Sequence, residues 1–236
     1  MTILSTDTKK QLTQNQVGAR QKNLASRARH DLLQPLAAMR MLLARVGDEI
    51  SEAERNTLLE TFSAALTGLE GSLESIVQHL FLQHSVMGFT PAQVNLDEWL
   101  EALCSQYVGK FDAEDIAFHL NTQVGEVRCD EELLKIVIES ALDNAFDFTK
   151  SGSVTLTTDR RGETVLIMIK DTGIGVYANS LPRLCEPFYV ENAAASRSMA
   201  RLGLGLANAS DAAQLMSADI RLSPNDDYGS TFEIAI

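Results

Sequence analysis

The sequence predicts an α+β chain in which an antiparallel helical hairpin is followed by an α/β sandwich, one sheet covered by helices. Three observations lead there. Apolar residues recur every three or four positions through the first third of the chain. Beyond Gly88-Phe89-Thr90-Pro91, short apolar runs mix with helical stretches but lack the regular alternation of a parallel sheet. The 236 residues, 45% of them hydrophobic, suit two compact domains better than one.

The first helix is marked by Leu32, Leu36, Met39, Leu43 and Val46, a 4-3-4-3 spacing that draws a stripe along one face. Pro35 inside this pattern predicts a kink. Gly47 serves as a stop, and Ser51-Glu52-Ala53-Glu54 has the form of a capping box that opens a second helix. The second stripe runs through Leu58, Phe62, Leu66, Leu69, Leu73, Ile76 and Leu80. A two-helix hairpin cannot bury both stripes by itself. Two copies joined as a four-helix bundle would bury them, which predicts a homodimer. Packing of the hairpin against the rest of its own chain is the alternative that sequence leaves open.

Gly88 to Pro91 reads as a linker between a domain over residues 1–88 and one over residues 92–236. In the second, Leu96 to Gly109 and Glu131 to Phe148 have helical patterns. Ile116 to Leu120, Val154 to Thr158, Val165 to Lys170, Asp219 to Leu222 and Thr231 to Ile236 read as strands. Val176 to Arg201 has little periodicity.

Composition narrows the function classes. The net charge of −12 disfavours nucleic acid or an anionic membrane surface as the main partner. No apolar run approaches the roughly 20 residues a membrane helix needs, and the N-terminus lacks the apolar core of a secretory signal. Cys104, Cys129 and Cys185 are scattered without metal-type spacing, as expected of reduced, buried thiols in a cytoplasmic protein.

Four strings carry chemistry. Asp171-Thr172-Gly173-Ile174-Gly175 follows an apolar strand directly. Its glycines let backbone approach a flat ligand while the carboxylate meets an exocyclic amine. The same string also describes an ordinary strand-ending turn. Gly203-Leu204-Gly205-Leu206 precedes a helix, where exposed N–H groups and the helix dipole suit phosphate oxygens; a packing role for these glycines is the alternative. Asn144 sits in a helix with Ser140 and Asp147 on its face, and its carboxamide oxygen suits Mg²⁺ beside phosphates. His30, off the apolar stripe of the first helix, offers an imidazole nucleophile, with Asp31 able to hold its tautomer or take its proton. His79, His84 and His119 read as plain surface histidines.

In this order the strings resemble a sensor histidine kinase catalytic core, from His30 to the end of the chain. His30-Asp31-Leu32-Leu33-Gln34-Pro35-Leu36 resembles the H-box, and Asn144 in Leu142-Asp143-Asn144-Ala145-Phe146-Asp147-Phe148-Thr149 the N-box. Asp171 to Gly175 and Gly203 to Leu206 resemble the two glycine boxes, Glu186-Pro187-Phe188 the F-box, and Gly229-Ser230-Thr231-Phe232 the last hairpin. The resemblance implies an ATP-binding domain of the type shared with gyrase and the Hsp90 chaperones, joined to a dimeric helical bundle. It implies that His30 accepts the γ-phosphate of ATP, with Gln34 placed to orient water in dephosphorylation of a partner. Asn144 would bind Mg²⁺, and Asp171 would hold the adenine amino group. Gly173, Gly175, Gly203 and Gly205 would shape the nucleotide pocket, which Asp147, Phe188, Arg201 and Leu206 also line. Residues 176–202 would form a mobile lid. Phosphate would pass to an aspartate of a response-regulator receiver, with input from a separate sensory protein or domain.

The chain departs from the family pattern at the pocket. Ser140 stands where a second Asn is frequent, and Asp147 where a Lys is common. Ala200-Arg201-Leu202 replaces a Gly-Gly-Ser type of sequence, and Leu33 a frequent basic residue. A slow kinase is expected, with Arg197 or Arg201 supplying charge from the lid. A phosphotransfer, phosphatase or interaction scaffold with a degenerate pocket is the competing reading. A serine kinase of the anti-sigma-factor type ranks third, since it gives no reason for a long hairpin carrying His30.

Overall fold

The computed structural model describes residues 32–33, 35–44, 51–84, 88–191 and 202–236. Residues 32–33 and 35–44 are helical (α1). Met39 of the first stripe is buried, while Leu36 and Leu43 are exposed. Val46 lies outside the described residues, and the kink expected at Pro35 adjoins residue 34, which does too.

Helix α2 spans Glu52–Gln83. It opens with the expected capping box: Ser51 N–H donates to Glu54 Oε2 at 2.9 Å, and Glu54 N–H donates to Ser51 Oγ at 3.3 Å. Leu59, Leu66, Leu73 and Leu80, spaced by sevens, are between 41% and 60% exposed, so a heptad seam lies open along the helix. The chain divides into two compact units inside α2, and the second begins at Glu74.

In the second unit, β1 (Ala92–Asn95) and β3 (Glu126–Cys129) form a two-stranded antiparallel sheet. Neither strand was expected. The remaining elements are α3 (Leu96–Asp112), β2 (Ile116–Asn121), α4 (Glu131–Phe148), β4 (Gly152–Arg161), β5 (Thr164–Asp171), α5 (Gly205–Leu215), β6 (Asp219–Pro224) and β7 (Ser230–Ala235). The main sheet has the order β2-β4-β5-β7-β6, with β2 parallel to β4 and the other pairs antiparallel. Along β5 the residues alternate, so Val165, Ile167, Ile169 and Asp171 share the buried face. That face packs on Leu134, Ile138 and Leu142 of α4, Leu100 and Phe111 of α3, and the small residues Ala209, Ala212 and Ala213 of α5. Each fully buried Leu or Ile contributes roughly 1.5–3 kcal/mol.

Asp130 caps α4. Its Oδ1 accepts the Leu133 N–H at 3.0 Å, and its Oδ2 accepts the N–H and hydroxyl of Thr90 at 2.7 and 3.1 Å. The linker expected at Gly88 to Pro91 is therefore fastened at Thr90.

Two expectations are corrected. His79 is buried, not a plain surface residue. Its Nδ1 lies 2.9 Å from Oδ1 of Asn208, whose Nδ2 donates to Ser75 O at 3.0 Å and Gln78 Oε1 at 3.1 Å. Docking of α5 covers it, together with a bond from Gln83 Nε2 to Asp211 Oδ2 at 2.8 Å. His84 and His119 are exposed, as expected. Among the cysteines, Cys104 and Cys129 are buried but Cys185 is exposed, and none is paired. Burial pushes the Cys104 thiol up to about 12. No helix among the described residues is long and apolar enough to cross a membrane.

Candidate functional site

The Asp171 string lies where β5 leaves the sheet. Thr172 N–H donates to Ser153 O at 3.1 Å and Ile174 N–H to Phe148 O at 3.1 Å, tying the turn to β4 and to the end of α4. Gly173 admits no substitute: a Cβ there would collide with Phe148 O. The Asp171 carboxylate, 7% exposed as a residue, is held by three donors. Oδ1 accepts the N–H of Gly173 at 2.8 Å and of Ser230 at 3.2 Å, and Oδ2 accepts the Ser230 hydroxyl at 2.6 Å. These bonds fix its direction.

The β6–β7 turn forms the facing wall. Gly229 has φ +82°, and a Cβ there would strike Asp171 O. Gly175 lies against it, with its own Cβ position 2.9 Å from Gly229 O. Both Gly229 and Ser230 belong to the last-hairpin string, yet neither was singled out as a site residue. Asn225, with Nδ2 donating to Asp171 O at 2.9 Å, carries no motif signal at all.

The second glycine string leads into α5, whose N-cap is Leu204 with no side-chain cap bond. The first-turn N–H groups are thus left without that partner, an arrangement suited to an anion. Gly205 abuts α4, its Cβ position 3.0 Å from Ser140 Oγ. Gly203 packs on Tyr189, and its carbonyl accepts the Phe188 N–H at 2.8 Å. Phe188 is buried at φ +66°, a conformation that costs a non-glycine residue about 1 kcal/mol or more. Leu206 packs against the core at half-burial.

Asn144 is half-buried and Asp147 buried on α4, the helix that also carries Ser140. Ser140 Oγ is buried and without a hydrogen-bond partner among the described residues. The structure thus brings Ser140 to the Gly205 end of α5, and Gly173 and Asp171 to the C-terminal end of α4. His30, Asp31, Gln34, Arg197 and Arg201 lie outside the described residues. Of the expected lid, residues 176–191 are described: Arg183 stacks on the Tyr189 ring at 4.2 Å, and the Ser180 hydroxyl bonds Glu191. Among the described residues no cluster of three or more His, Cys, Asp or Glu could hold a metal ion.

Strand order, carboxylate and glycine-led helix together form an arrangement suited to a nucleotide. Residues 129–236 match the family described as "Histidine kinase-, DNA gyrase B-, and HSP90-like ATPase". That match spans somewhat under half of the chain. The chain is 33% identical over 103 residues to the sensor histidine kinase RcsC of Escherichia coli K12, an alignment covering 44% of this chain and 11% of RcsC. It is 25% identical over 224 residues to the sensor-like histidine kinase SenX3 of Mycolicibacterium smegmatis, covering 92% of this chain and 58% of SenX3. The chain therefore spans from a tenth to somewhat over half of these relatives. In fold it is similar to the Acinetobacter baumannii histidine kinase AdeS, with a TM-score of 0.69 at 19% identity over 88% of this chain and 96% of that one. It is also similar to full-length ShkA in complex with AMPPNP, with a TM-score of 0.64 at 19% identity over 91% of this chain and 45% of that one.

Proposed function

We propose that the chain is a two-component histidine kinase core that transfers the γ-phosphoryl group of ATP to His30 and passes it to an aspartate of a response-regulator receiver. The observation that carries this reading is the Asp171 carboxylate, buried at the end of β5 and aligned by Gly173 and Ser230. It would accept the adenine amino group, while the uncapped start of α5 would receive phosphate oxygens. The donor set fits Mg²⁺ as a companion of the nucleotide. Asn144 would supply one oxygen, the phosphates and water the rest, and the Ser140 hydroxyl a further polar contact. The bound ion would neutralise phosphate charge.

In the transfer, a neutral imidazole nitrogen of His30 forms the new N–P bond as the bond from the γ-phosphorus to the ADP oxygen breaks. Asp31 receives the imidazole proton. Gln34, four residues further along the sequence, would orient water in the separate task of dephosphorylating the receiver. The similarity to SenX3 covers 92% of the chain and so extends into the helical stretch. Two copies would join along the open α2 seam.

Incubation with γ-labelled ATP and Mg²⁺ should place acid-labile phosphate on the protein, and His30→Ala should abolish it. An unlabelled parent protein sinks the kinase reading. One observation favours a second reading: Asp147 is a buried acid on the helix that bears Asn144. If that acid repels the phosphates, the core acts as a phosphotransfer or phosphatase scaffold. Titration with Mg²⁺-ATP separates the two, because micromolar binding excludes a degenerate pocket.

A further inference from the structure

We propose that Asn225 is a positioning residue for Asp171 and thereby sets the base selectivity of the nucleotide site. The proposal rests on the reading of Asp171 as the base-binding carboxylate, and it explains how that carboxylate obtains its donors.

The β5–β7 ladder runs in register as far as Lys170 opposite Thr231. The next pair would be Asp171 opposite Ser230. Successive residues of a strand turn their N–H and C=O groups toward opposite neighbours. Thr172 N–H donates to Ser153 O on the β4 side, so the carbonyl of Asp171 faces β7. In an unbroken ladder that carbonyl would accept the Ser230 N–H. Here the Ser230 N–H is diverted to Asp171 Oδ1, at 3.2 Å. The donor it would have given Asp171 O comes instead from Asn225 Nδ2, at 2.9 Å.

The amide of Asn225 is suited to this substitution and locked in place. Nδ2 also donates to Tyr228 O at 2.9 Å, Oδ1 accepts the Thr231 hydroxyl at 2.6 Å, and the main-chain N–H donates to Gly229 O at 3.1 Å. Two carbonyl oxygens can only accept, so the orientation of the amide is determined. One side chain thus satisfies the strand carbonyl, closes the turn and frees a main-chain donor for the carboxylate. Without Asn225, the Ser230 N–H returns to the Asp171 carbonyl, which otherwise stays unsatisfied. The carboxylate then loses one of its three fixed donors and turns more freely. Recognition of an exocyclic amine depends on that direction, whereas recognition of phosphates does not.

The test compares Asn225→Asp and Asn225→Ala with the parent 236-residue protein, titrating each with Mg²⁺-ATP and Mg²⁺-GTP and measuring Tm without nucleotide. Asp keeps the size of the side chain but removes its donors. Guanine has a carbonyl where adenine has its amine. The expected result is a roughly tenfold weaker Kd for ATP with GTP little changed, so that the ATP:GTP preference falls about tenfold. Asp171→Asn should erase the preference altogether. Equal weakening toward both nucleotides, or a lowered Tm with the preference intact, would show a structural role alone and overturn the proposal. If Asn225→Asp does not fold, the same ratio in Asn225→Ala decides. A parent that lacks any preference for ATP, or does not bind it, removes the reading of Asp171 itself and the proposal with it.

Discussion

At the residue scale, the site is made by close approach. Gly229 illustrates the constraint, since its φ of +82° and its position against Asp171 O each exclude a side chain. Gly229→Ala should cost about 1–3 kcal/mol through backbone strain alone. It should also weaken ATP binding at least tenfold by pushing the β6–β7 turn off Asp171. Calorimetry and nucleotide titration check the two effects separately, and unchanged ATP affinity would show that the turn is no part of the site. The glycine strings could be read from sequence because their residues are neighbours in the chain. Asn225 and Ser230 could not, because they reach Asp171 across 54 and 59 residues, through a strand pairing that no local pattern records.

At the element scale, polar side chains fix what propensity leaves loose. Asp97, in the first turn of α3, accepts the N–H groups of Val124 and Gly125 at 3.0 and 2.8 Å and the Thr122 hydroxyl. Burial opposes its charge, but the Thr122 hydroxyl, the two amides and Arg160 outweigh that and hold its carboxyl below the ordinary range. A carboxylate with a depressed folded pKa contributes stability above the unfolded value, and this is lost as pH falls through the folded one. Asp97→Asn should therefore lower Tm at neutral pH by a few degrees. The gap to the parent should narrow once pH drops below about 4; a gap independent of pH would contradict this. Helix α4 was legible to the residue because its cap, apolar face and end all lie within one segment. Strands β1 and β3 have four residues each, too few for alternation to show, and exist by pairing with one another. His79 was misread for the same reason, since its cover comes from α5, 129 residues on.

At the scale of the whole molecule, the open seam of α2 is the feature a single chain leaves unexplained. Leu59, Leu66, Leu73 and Leu80 keep one face over three heptads. Burying this face against a second copy predicts a dimer. Leu66→Glu combined with Leu73→Glu removes four buried leucines per dimer, roughly 6 kcal/mol or more. The dissociation constant should rise by about four orders of magnitude, read by light scattering over a dilution series. A parent that is monomeric at micromolar concentration would rule the seam out as a dimer contact.

The bonds that bury His79 also bear on where this protein can be cut. The segment from Gly88 to Pro91 looks like the natural place for the scissors, yet the second compact unit begins at Glu74, within a helix. A fragment started at Phe89 would discard Ser75, Gln78 and His79, the partners of Asn208, along with Leu82 from the core. Asn208, 1% exposed in the intact chain, would face solvent from a hollow shaped for a missing helix. The last three turns of α2 thus serve as a permanent splint for the second unit, and an excised domain must take its splint along.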